Sequence, residues 1–230
     1  MQVLFVVLLV VLGVVGFSPQ AFAMHIAEGF LPPAWCGLYF VLSAPFVLLG
    51  LLQIRKTQDP HTRMFFALAG AYVFLLSALK LPSVTGSCSH PTGTGLASIL
   101  FGPAPTAFLS SLVLLFQALL LAHGGITTLG ANILSMGVAG PLVGFLTYRA
   151  LRNVNRNVAI FTAAFSADLS TYVVTSLQLA LAFPGTSLGF SFLKFLSLFA
   201  LTQVPLAVME GFLTLALLEY LTAKLGVRTV

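Results

Sequence analysis

Long apolar runs separated by short polar loops constrain this chain more than any other feature. Sparsely charged segments extend from about Ala34 to Ile54, Met64 to Leu81, Leu96 to Ala122, Ala131 to Leu151, Val158 to Phe183 and Phe190 to Leu221. Such runs match the ~20 residues that an α-helix needs to cross a bilayer core. In hydrocarbon the backbone must satisfy its own hydrogen bonds, which only helices and closed barrels do, and none of these runs alternates with the period of two that a barrel strand requires. The 230 residues are 59% hydrophobic and only 7% charged, against roughly 25% charged in an average soluble domain. The expected fold is an all-α integral membrane protein with one bundle and no soluble catalytic domain. The net charge of +5 then reads as an orientation signal in the loops. Nucleic-acid binding is not expected.

The basic residues test the number of crossings. Arg55, Lys56 and Arg63 fall in one loop, Arg149, Arg152 and Arg156 in another, and Lys224 and Arg228 in the tail; all three clusters belong on the cytoplasmic side. Six crossings starting from outside would strand the second cluster on the wrong side. A break of the third segment at Gly102-Pro103-Ala104-Pro105 restores the parity, because proline removes a helix donor and crowds the preceding turn. Seven transmembrane helices follow, with the mature N-terminus outside and the C-terminus in the cytoplasm. The first half of the broken segment, roughly Pro91 to Phe101, is too short for a regular crossing, so it is expected as a short helix preceded by irregular backbone. Such backbone survives at membrane depth only where protein or a cavity surrounds it.

The N-terminal run from Val3 to Phe17, followed by Ala21-Phe22-Ala23, has the form of a signal peptide with a small-x-small cleavage site. Residues 1–23 are therefore expected to be removed, leaving residues 24–230 as one membrane domain. An uncleaved first helix is the alternative, although about 15 apolar residues is short for a span. Cleavage would expose Met24-His25 as a chelator: the α-amine of Met24, the deprotonated amide nitrogen of His25 and the His25 imidazole close two fused rings on one ion. A further nitrogen completes a square, a geometry suited to Ni(II), Cu(II) or Co(II) rather than to oxygen-seeking Mg or Ca.

The ten-residue loop Gly86-Ser87-Cys88-Ser89-His90-Pro91-Thr92-Gly93-Thr94-Gly95 has no packing rationale in so apolar a chain, and its small residues let backbone approach a ligand. The seven-crossing topology puts His90, His25, Glu28, His123 and Asn132 on one side. His123, with Glu28 and Asn132, is expected around the metal ligands rather than among them: His123 to orient a ligand imidazole or cap its helix, Glu28 to accept a hydrogen bond or neutralise the site. His61 reads as a solvated residue of a basic loop. Asp168, mid-helix, is read as the single intramembrane acid, facing the interior and more suited to capping an irregular loop than to ion contact. Cys36 and Cys88 form no zinc pattern; they either pair or pack separately. Rows such as Gly70, Ala71 and Ala78, or Gly137, Gly140 and Gly144, allow close helix approach inside the bundle or against a partner.

Met24-His25-Ile26-Ala27-Glu28-Gly29-Phe30-Leu31-Pro32-Pro33, the Ser89-His90-Pro91-Thr92-Gly93 loop and His123-Gly124-Gly125-Ile126-Thr127-Thr128-Leu129-Gly130-Ala131-Asn132 together closely resemble the CbiM/NikM family. These are the substrate-binding membrane subunits of energy-coupling factor transporters for cobalt and nickel. The resemblance covers essentially the whole mature chain and implies seven helices with the N-terminus tucked into the bundle. It implies that Met24, His25 and His90 hold the metal, which is cargo, with no resident cofactor. It further implies a transmembrane coupling subunit, cytoplasmic ATPase subunits and a small accessory membrane subunit as partners, in a cell membrane. The loop form resembles the cobalt branch, so Co(II) is expected, with nickel as the alternative cargo. The motif begins at residue 24, which makes the chelate depend on cleavage. No phosphate-binding G-x-x-x-x-G-K-[ST] occurs, so ATP hydrolysis would reside in partners and the chain itself is not expected to be an enzyme. An intramembrane metalloenzyme would need H-E-x-x-H or paired carboxylates, and an ATP-independent carrier or channel would be expected to show more intramembrane acids than Asp168 alone.

Overall fold

The structure is a computed structural model that describes residues 22–23, 25–79, 81–82, 87–226 and 229–230. Seven helical elements account for most of it: α1 Pro33–Lys56, α2 Pro60–Ala78, α3 Thr94–Phe101, α4 Pro103–Leu121, α5 Leu129–Leu151, α6 Arg156–Ala182 and α7 Leu188–Leu225. All but α3 are long and apolar enough to cross a membrane, which makes six candidate spans among the described residues. The apolar runs correspond to these helices with ends displaced by a few residues, for identifiable local reasons. Pro33 opens α1, Asp59 caps α2 by accepting from the amides of His61 and Thr62, and Asn155 caps α6 by accepting from those of Asn157 and Val158.

The third run is broken where the prolines demand it. The eight residues of α3 end at Gly102, whose φ of 84° takes the chain out of helix, and Pro103 starts α4. Residues 90–93 ahead of α3 are irregular and Gly93 enters the helix at φ 71°, as expected for a short helix hung from an irregular loop. Beside this loop the chain forms three strands of two or three residues: β1 Phe22–Ala23, β2 Leu81–Pro82 and β3 Ser87–Ser89. β3 lies in the middle, parallel to β1 and antiparallel to β2. The bundle is thus helical with a small pleated fringe. Residues 1–21 and Met24 lie outside the described residues, so the expected cleavage does too.

α5 is the most enclosed of the long helices, and its middle is not regular. Ile133–Ala139 winds as a π-helix before the α pattern resumes at Gly140. Pro141 supplies a local cause: it has no N–H to give and its ring crowds the carbonyl of Gly137, so the preceding turn widens. The small residues on this helix face inward. A Cβ on Gly140 would lie 2.5 Å from Thr171 Oγ1, and one on Gly144 would lie 2.9 Å from the Cβ of Ala167, both on α6. The row Gly137, Gly140 and Gly144 serves packing within the bundle.

Large apolar side chains such as Val41, Leu120 and Leu201 are exposed on α1, α4 and α7, as a lipid-facing surface requires. The N-terminal segment instead turns into the protein. Ile26 and Leu31 pack in one core cluster with Cys36 and Tyr39 of α1, Ala131 of α5, Tyr172 and Leu179 of α6 and Phe199 of α7. Cys36 is buried there as a free thiol, 3.5 Å from the carbonyl of Leu31; the side chain of Cys88 lies outside the described residues.

The short helix owes its place to a glycine. A Cβ on Gly95 would sit 2.6 Å from Cα of Ala164, where backbone rather than a flexible side chain is met. Gly95→Val is therefore expected to destabilise the protein by about 3 kcal/mol, the upper end of overpacking costs. A thermal melt in detergent checks this, and an unchanged melt would mean that α3 and α6 are free to separate.

Candidate metal centre

Three histidines from three distant stretches of sequence meet inside the bundle. His25, His90 and His123 each offer a ring nitrogen, and these nitrogens all lie within 4.8 Å of one another. The ring centroids are 4.7 Å apart for His25 and His90, 4.5 Å for His25 and His123, and 5.1 Å for His90 and His123. All three are buried, at 0–1% exposure. A first-row divalent ion bound by nitrogen at about 2.0–2.1 Å, the zinc distance, holds its donors between about 2.9 Å (adjacent) and about 4.2 Å (opposite) apart, so the rings must draw together, by more than about an ångström for an adjacent pair at the full spread, to share one ion. The donor set fits such an ion.

The surrounding hydrogen bonds fix the two chain segments that carry His25 and His90. Asn132 of α5 acts on Ile26 as a neighbouring strand would: its Oδ1 accepts from the Ile26 amide at 2.8 Å and its Nδ2 donates to the Ile26 carbonyl at 3.1 Å. Thr128 adds a hydroxyl to the same carbonyl at 2.6 Å. Asn132 thereby positions the backbone next to His25. Gly125 permits the close fit of the 123–128 loop, since a Cβ there would lie 2.6 Å from the amide nitrogen of Glu28.

Glu28 is exposed and takes no place among the histidines. Its carboxylate accepts from the Thr127 hydroxyl at 2.5 Å and the Thr127 amide at 3.1 Å, which ties the N-terminal segment to the same loop. The Thr127 hydroxyl, ahead of the backbone amides, holds the Glu28 carboxyl below the usual glutamate range. With a depressed folded pKa, this tie is present above the ordinary glutamate pKa and is lost as pH falls through the folded value.

His90 is held from both sides. Its Nδ1 lies 3.1 Å from the Pro91 carbonyl, which can only accept, so Nδ1 carries the proton and Nε2 is left as the donor for a metal. Its own carbonyl accepts from Gln203 at 3.2 Å, and the other bond of that amide group goes to Asp168 at 2.6 Å. Asp168 therefore supports the irregular loop through Gln203. Two and three residues past His90 the loop is held by Glu210 of α7, which accepts from the Thr92 amide at 2.5 Å, the Thr92 hydroxyl at 3.1 Å and the Gly93 amide at 2.9 Å.

Glu210 corrects the count of intramembrane acids. It is as buried as Asp168, at 1% against 0%, and the sequence carried the signal in a carboxylate within the last apolar run. Apolar flanks made that run read as uniform. Met136 was likewise missed: its Sδ lies 3.1 Å from His25 Nε2, on the π-helical stretch whose phase no helical periodicity could give. His61 stands apart from the cluster, ring to ring with Phe65 on α2.

A family profile described as the cobalt uptake substrate-specific transmembrane region, CbiM, matches residues 25–225. The chain belongs to the CbiM family. It is 58% identical over 207 residues to a cobalt transport protein CbiM of Clostridium tetani, covering 88% of this chain and 86% of that one. It is 60% identical over 203 residues to the CbiM of Desulforamulus reducens, covering 86% and 81%. In fold it is similar to a crystal structure of a truncated transition metal transporter, with a TM-score of 0.71 over 86% of this chain and 98% of that one at 24% identity. Membership in CbiM and the apolar helices make this a multi-pass membrane protein of a transport family.

Proposed function

We propose that this CbiM chain is the substrate-capturing subunit of an ATP-driven energy-coupling factor importer, and that its cargo is Co(II). The buried three-histidine cluster built around the N-terminal segment carries the reading. The cobalt named in the family description and in the relatives supports the choice of cargo; nickel is the chemical alternative, because affinity at a nitrogen site rises from cobalt to nickel.

In this reading residues 1–23 are a signal peptide, and the freed Met24 amine, the His25 amide nitrogen and the His25 imidazole form the chelate. His90 supplies the fourth nitrogen through Nε2. The chelate also answers an electrostatic need. Imidazoles bind a metal as neutral donors, and Glu28 is turned to Thr127, so an ionised amide nitrogen would offset part of a double positive charge in a buried site. Seven crossings, with α3 as the short one, put the mature N-terminus outside and the C-terminus in the cytoplasm. A transmembrane coupling subunit, ATPase subunits and a small accessory subunit would complete the importer.

A second reading comes from His123, whose ring lies as near to that of His25 as the His90 ring does: a site of three side chains without the amine. Blocking the amine separates the two. Acetylation of Met24, or one residue inserted between Met24 and His25, leaves every side chain in place, and either is expected to lower Co(II) affinity more than tenfold by titration calorimetry. Affinity should also fall steeply with acidification, through reference pKa values of about 8 for the amine and about 6.5 for imidazole. Binding indifferent to both changes would replace the chelate with the three-histidine site. Mass determination of the mature N-terminus tests the cleavage, and uptake that follows a proton gradient rather than ATP would reassign the chain to a secondary carrier.

A further inference from the structure

We propose that the thioether of Met136 holds His25 in the tautomer and ring orientation that the N-terminal chelate requires; the inference rests on the chelate reading above. Met136 is fully buried and lies in the π-helical stretch Ile133–Ala139, which sets its direction. Its Sδ is 3.1 Å from Nε2 of His25. A thioether has lone pairs and no hydrogen, so it can only accept, and only weakly. The contact is attractive when Nε2 carries the proton. The other tautomer would set the Nε2 lone pair against those of sulfur.

A proton on Nε2 leaves the Nδ1 lone pair for a metal. Nδ1 is also the one ring nitrogen that closes a six-membered ring with the residue's own amide nitrogen, through Cα, Cβ and Cγ, because Nε2 points away from the backbone. Two independent features therefore select the same atom. The partner of a ligating imidazole ordinarily is a carboxylate or carbonyl, which raises the basicity of the ring. A thioether orients without that effect and without adding charge to a buried site. His90 is the complementary case, with Nδ1 facing the Pro91 carbonyl and Nε2 left to bind. The two imidazoles present opposite nitrogens because their partners, Met136 and Pro91, touch opposite sides of the rings.

The test uses full-length processed protein in detergent, with nitrogen-15-labelled histidine and no metal, at alkaline pH. Imidazole nitrogen shifts are expected to show His25 as the neutral tautomer protonated at Nε2. Met136→Leu conserves volume and apolar character but cannot accept; it is expected to mix the two tautomers and weaken Co(II) binding about tenfold, the low end of the ~10–100-fold span for partners of metal ligands. Met136→Gln restores an acceptor oxygen and is expected to recover the single tautomer. Protonation of wild-type His25 at Nδ1 would overturn the proposal, whether or not the variants fold. So would an unchanged tautomer and affinity in Met136→Leu, or a sulfur neighbour at about 2.3 Å in X-ray absorption of the Co(II)-loaded protein, which would make Met136 a ligand. The tautomer measurement is made without metal, so it stands or falls separately from the chelate, which amine blocking tests.

Discussion

His90→Ala is expected to abolish metal capture and uptake while the protein still folds. The substitution removes the Nε2 donor, and with it more than the ~10–100-fold in affinity that loss of a ligand's partner alone would cost. The loop keeps its shape because the bonds that hold it are to backbone: Gln203 to the residue 90 carbonyl, and Glu210 to the amides of Thr92 and Gly93. None of these needs the imidazole. His25→Ala should fail in the same way, whereas His123→Ala should retain measurable binding if the chelate is correct. Calorimetric titration with Co(II), alongside a thermal melt, reads both quantities. Uptake at the unaltered rate by the His90→Ala protein would remove His90 from the site.

Glu210→Ala attacks the same loop from behind, and its expected effect is on stability as much as on binding. The carboxylate satisfies two backbone amides and a hydroxyl in the bundle interior. Each buried donor left without a partner costs about 1–3 kcal/mol, so losing the two amide bonds alone costs ~2–6 kcal/mol, against a total stability of roughly 5–15 kcal/mol for a typical fold. Gly93, at φ 71°, has no side chain with which to hold the turn. The expected result is a large fall in melting temperature with loss of Co(II) binding. Glu210→Gln should lie between the variant and the natural protein, since an amide oxygen can still accept while its NH2 faces a donor. A Glu210→Ala protein that melts and binds as the natural one does would show the loop to be self-supporting.

The short helix and its break were legible because their causes are local. Gly102, Pro103 and Pro105 act within a turn of their own positions, and the Gly/Ser/Thr loop around His90 is conspicuous against an apolar chain. Glu210 was less legible. Its flanks keep the run apolar, and what makes the residue matter is a loop 117 and 118 positions away in sequence.

The sequence by itself determined the helical membrane class and the order and approximate ends of the helices, and it nominates Met24-His25 as the chelating dipeptide of the proposed site, dependent on processing. Hydropathy, proline geometry and chelate-ring size are properties of neighbouring residues, so they can be read along the chain. Only the tertiary structure decided that His123 sits as close to His25 as His90 does, that Asn132 grips Ile26, that Asp168 and Glu210 both support the His90 loop, and that Met136 touches His25 Nε2. Those relations join residues 35 to 118 positions apart and follow from how α5, α6 and α7 pack. The π-helical turn alone shifts the phase of α5, and a shift of one residue in five moves a side chain from one face of a helix to another.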